Sequence, residues 1–82
     1  MGLIRLERSD KRFNCRKEET ENGTFIVCEP VELIDGREKA IGKEPIKFRI
    51  EGRSAILVND GGVDLKTLKE LDEKVLEMFL RG

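Results

Sequence analysis

Apolar positions along this chain change period once. From Leu3 to Val58 they recur every second residue, broken by turn residues; from Asp64 onward they recur every three to four. The first regime reads as short strands. LIRLER (3–8) sets Ile4 and Leu6 against Arg5 and Glu7, and RFNCRK (12–17) sets Phe13 and Cys15 inward. TFIVCEPVELI (24–34) is the longest strand. It is apolar on both faces at Phe25–Cys28, as suits a central position, and Pro30 predicts a bulge or a sheet edge because it has no N–H to donate. A weaker strand, REKAI (37–41), follows Asp35-Gly36. IKFRI (46–50) and SAILV (54–58) complete the set. Asn22-Gly23 and Asp35-Gly36 are hairpin signals, and Ser9-Asp10, Gly42–Pro45 and Asn59–Gly62 mark further breaks.

The second regime, 64–81, predicts one amphipathic helix. At ~100° per residue Leu65, Leu68, Leu71, Val75, Leu76 and Phe79 share one face. Asp64 is placed to cap its first turn, with Val63 and Leu68 able to staple the entry. Lys66–Glu70 and Lys69–Glu73 fall at i,i+4 on the outer side. A lone helix cannot hide such a stripe, so the expected architecture is α+β. In it, a mostly antiparallel sheet of five or six strands carries the 64–81 helix on one face, in a single domain spanning 1–82.

Composition narrows the chemistry. Leu, Ile, Val and Phe make up 25 of 82 residues, enough for a core despite 40% charged residues. Sixteen basic residues against 17 acidic ones argue against a dedicated polyanion binder. The absence of His, Trp, Tyr and Gln beside abundant Lys, Arg and Glu is a thermophilic balance. No long apolar run and no leader pattern is present, so a cytoplasmic protein is expected. Without histidine the familiar nucleophile–base arrangements are gone, and no glycine-rich segment has nucleotide-binding spacing, so an enzyme is not expected.

Two cysteines, Cys15 and Cys28, make no zinc set. If Asn22-Gly23 forms a two-residue turn, Lys17 opposes Cys28 and Cys15 lies diagonal to it, about 7 Å away. Two reduced thiols in the core are then expected, whereas a slip of two residues would make the pair direct partners.

Three candidate sites remain. If every strand reverses the last, the loops holding Glu19, Glu21, Asp60 and Asp64 meet at one end of the sheet, an oxygen-rich set suited to weak Ca²⁺ binding. Asp72 falls inside the apolar arc of the helix. Either it pairs with Lys69, Arg5 or Arg49, or it lines a pocket between helix and sheet. Lys11, Arg12, Arg16 and Lys17 with Lys47, Arg49 and Arg53 would form a basic stripe for RNA if their strands adjoin, but no phenylalanine stands clearly exposed among them. In size, strand-rich body, C-terminal helix and the loop acids of Glu18–Glu21 and Asp60–Asp64, the chain resembles a small family of methanogen-type archaeal proteins. The resemblance implies an α+β fold and an acidic pocket linked to calcium. The expected function is a non-enzymatic binding module with a Ca²⁺ site. The alternatives are an RNA-associated domain, or an interaction subunit that receives a protein partner at a sheet edge or the Asp72 pocket.

Overall fold

In the computed structural model, which describes residues 2–8, 11–41 and 44–81, the longest strand organises the sheet. This strand, β3 (Gly23–Ile34), pairs along one edge with β2 (Arg12–Thr20), which pairs in turn with β1 (Gly2–Arg5). Its other edge is shared end to end by two strands. β4 (Arg37–Ala40) covers Val31–Ile34, β5 (Ile46–Glu51) covers Phe25–Cys28, and β6 (Ser54–Asn59) lies outside β5. All six strands pair antiparallel to their neighbours.

Pro30 marks the seam between β4 and β5. Its carbonyl accepts the Ile41 N–H (3.2 Å), so that edge is the one to which its missing N–H would have pointed. The ladder cannot continue through Pro30. The chain that returns as β4 therefore leaves the edge and rejoins it as β5, still running in the same direction. The expected reversal between these two strands does not occur.

Turn chemistry set the second departure from expectation. Asp35 (φ 52°) and Gly36 (φ 76°) form the predicted hairpin with positive φ at both central residues. At the other hairpin the central residues are Glu21 and Asn22, while Gly23 (φ 127°) already opens β3 opposite Thr20. The Thr20 hydroxyl accepts the Asn22 N–H and donates to the Gly23 carbonyl, both at 3.1 Å, fixing that turn. Moving the turn centre back one residue shifts the register by two. Cys15 consequently faces Cys28 directly, at a Cα separation of 4.0 Å, and the two are disulfide-bonded, not reduced.

The helix α1 (Leu65–Val75) continues as a π-helical turn over Leu76–Arg81. Asp64 (φ −66°, ψ 155°) is its N-cap, accepting the Thr67 N–H at 3.1 Å. Leu68, Leu71 and Val75 join Ile4, Leu6, Phe13, Cys15, Ile26, Cys28, Ile46 and Phe48 in one core, with Phe79 packed at its margin. Leu65 departs from the predicted stripe and is 67% exposed. Glu70 departs the other way. It is buried, and its carboxylate accepts the Arg8 backbone N–H at 3.1 Å. Gly61 (φ 62°) passes close to the β5 entry, where a Cβ would lie 2.9 Å from the Glu44 carbonyl oxygen. The Ser9-Asp10 turn and the Gly42-Lys43 part of the break lie outside the described residues.

Candidate interaction edge and its groove

The acidic residues are separated by the seam at Pro30. Because β4 and β5 run the same way, the Glu21-Asn22 turn shares its end of the sheet with the Gly52-Arg53 turn. The loop after β6 emerges toward the opposite end, where Asp64 reaches Lys11 (3.5 Å). Glu19 and Glu21 thus do not meet Asp60 and Asp64, and the predicted convergence is corrected. Each member of the second pair also has a local role. Asp60 accepts the Gly62 N–H at 2.8 Å, closing its own turn. Asp64 accepts the Thr67 hydroxyl at 2.8 Å as well as the Thr67 N–H, and these bonds, with Lys11, hold its carboxyl below the ordinary range. Glu19 lies 3.8 Å from Lys17. Among the described residues no group of three or more His, Cys, Asp or Glu side chains is arranged around one point.

The sheet face away from α1 gathers part of the basic stripe. Arg16 and Lys47 flank Val27 from either side, and Arg49 flanks Phe25. Lys47 lies over the half-buried Phe25 ring, 4.5 Å from its centroid, so the aromatic beside these cations is covered by a lysine of the same face. Their charge is largely answered within the face, by Arg16–Glu18 (3.0 Å), Arg16–Glu29 (3.2 Å) and Arg49–Glu51 (3.2 Å). Glu18 and then Glu29 raise the Arg16 pKa by bonding its guanidinium. Lys11 belongs elsewhere, paired to Asp64.

The sheet ends in β1, a four-residue strand, on one side and in β6 on the other, with β4 as a further edge beside β3; β4 and β6 differ sharply. On β4, three of the four residues (Arg37, Glu38, Lys39) are charged, a pattern that discourages further strand pairing. The edge strand β6 reads Ser-Ala-Ile-Leu-Val-Asn and carries no charge. Ile56, Leu57 and Val58 are 41%, 43% and 54% exposed. Between Lys47–Asn59 and Phe48–Leu57 the pairing skips Val58, a bulge that places an extra apolar residue on this edge.

Beside β6, between it and α1, runs a groove of about 170 Å³ lined by Phe48, Ala55, Leu57, Leu65, Lys69 and Asp72. Among the described residues Asp72 Oδ1 has no hydrogen-bond partner, and it is buried. Burial in these apolar surroundings, reinforced by the adjacent Glu73 charge, raises its pKa above the ordinary aspartate value. Asp72 is thus one of the residues lining this groove between helix and sheet. Helical phase was the signal that found it. The edge character of β6 carried no comparable signal, since strand order is a tertiary property.

The fold and this edge define an α+β module with one helix-covered sheet face and a charge-free, apolar edge strand. No family model, no curated protein and no solved structure matches the chain. Among the described residues no helix is long and apolar enough to cross a membrane.

Proposed function

We propose that this protein is a non-enzymatic interaction module that accepts an extended segment of another polypeptide as an added strand along β6. The observation that carries the reading is the charge-free, apolar edge Ser54–Asn59, exposed where β4 is protected by charge. Strand addition supplies affinity through main-chain hydrogen bonds, and pockets beside the strand supply selectivity. The groove at Leu57, Leu65 and Asp72 offers such a pocket on the helix side.

Affinity capture combined with amide hydrogen exchange tests this. A partner held at fixed stoichiometry should slow exchange across β6, and Val58→Lys should release it, because a charge at the edge opposes pairing. A partner retained equally by Val58→Lys, or protection confined to another surface, would refute the reading.

A further inference from the structure

We infer that the strand added beside β6 is β6 of a second copy, paired antiparallel about a two-fold axis; this rests on the reading of β6 as the acceptor edge. The charge pattern selects both partner and direction. Ser54–Asn59 contains no charged residue, so self-pairing opposes no like charges along the strand. Arg53 precedes it and Asp60 follows it. Antiparallel pairing brings the start of each strand to the end of the other, setting Arg53 of one copy near Asp60 of its mate at both ends. Parallel pairing would instead stack Arg53 on Arg53 and Asp60 on Asp60.

Symmetry then decides what happens to the apolar surface. Antiparallel strands related by a two-fold axis require that axis to be perpendicular to the sheet, so both copies of α1 lie on the same side. Leu57 and Leu65, exposed beside the edge on that side, approach their symmetry mates. Ile56 does the same on the opposite face. One contact thereby covers the edge backbone and the apolar side chains on both of its faces, and joins two sheets into one.

Sedimentation equilibrium over a wide loading range tests the inference. The native chain should approach the mass of two chains as concentration rises. Ile56→Lys and Val58→Lys should each hold the single-chain mass throughout, with far-UV spectra and melting curves showing that the variants remain folded. Arg53→Glu should weaken association roughly threefold to tenfold, as expected for losing exposed ion pairs at two symmetric positions. Combining Arg53→Glu with Asp60→Arg should restore it. A native chain of single mass at every loading overturns the dimer, as does a dimer that survives both lysine substitutions. If the monomeric native chain still captures another protein through β6, only this inference fails; if β6 pairs with nothing, the proposed function fails with it.

Discussion

Asp72 lies within α1, yet one of its oxygens is buried with no hydrogen-bond partner among the described residues, so removing the carboxylate should stabilise the protein. Sheet residues Phe48, Ala55 and Leu57 line its groove, and Lys69 lines it from the same helix. An unsatisfied buried polar group costs ~1–3 kcal/mol, and the only partial burial of Asp72 argues for the lower end. Replacing Asp by Ala within a helix contributes up to about 0.7 kcal/mol more. Asp72→Ala should therefore gain about 1–2 kcal/mol at neutral pH, a rise in Tm on the order of 5–10 °C for a domain of this size.

The pH dependence has a definite sign. The folded-state pKa of Asp72 is raised above 3.8, so the native protein keeps a proton over a window where the unfolded chain has lost it. Stability from this group therefore falls as pH rises through that window, and the penalty is complete only above it. Urea denaturation of both proteins at neutral and acidic pH should show the advantage of Asp72→Ala shrinking on acidification. Asp72→Asn, which removes the charge but keeps a polar group in the groove, should gain less. An Asp72→Ala variant no more stable than the parent at neutral pH, or an advantage that grows as pH falls, would refute the reasoning.

Two further predictions concern the β2–β3 bridge and the helix cap. The Cys15–Cys28 bridge closes a loop of sequence separation 13, so Cys15→Ala combined with Cys28→Ala should cost ~3 kcal/mol in urea denaturation. Thiol titration of the denatured, unreduced native protein should find no free thiol, and two reactive thiols there would contradict the bridge. Asp64→Ala should lower Tm at neutral pH by removing the cap on Thr67, while Asp64→Asn should retain most of it. Because the folded-state pKa of Asp64 is lowered, its contribution is present above the unfolded value of 3.8 and lost as pH falls through the folded value. The melting curves of parent and Asp64→Ala should accordingly converge in strong acid.

Much of this protein is local, and local structure is written in the sequence. Alternation placed the strands, a 3.6-residue period placed the C-terminal helix, and side-chain chemistry placed the Asp64 cap and the Asp35-Gly36 turn. Asp72 was visible for the same reason, since helical phase alone puts a carboxylate among leucines. Three matters depended on how elements meet. A hairpin centred one residue earlier than its Asn-Gly signal changed the register by two and made Cys15 and Cys28 partners, because each residue of turn displacement moves two residues of pairing. Pro30, seen in the sequence as a bulge or an edge, stands at the gap that splits one edge of β3 between β4 and β5. That break in parity carried Asp60 and Asp64 away from Glu19 and Glu21. It also left β6 at the rim of the sheet with an apolar edge that its residues, read in order, do not distinguish from a buried strand. Alternation reports which face a residue takes; strand order is set by where each backbone edge finds donors and acceptors, and that is decided only when the whole sheet assembles.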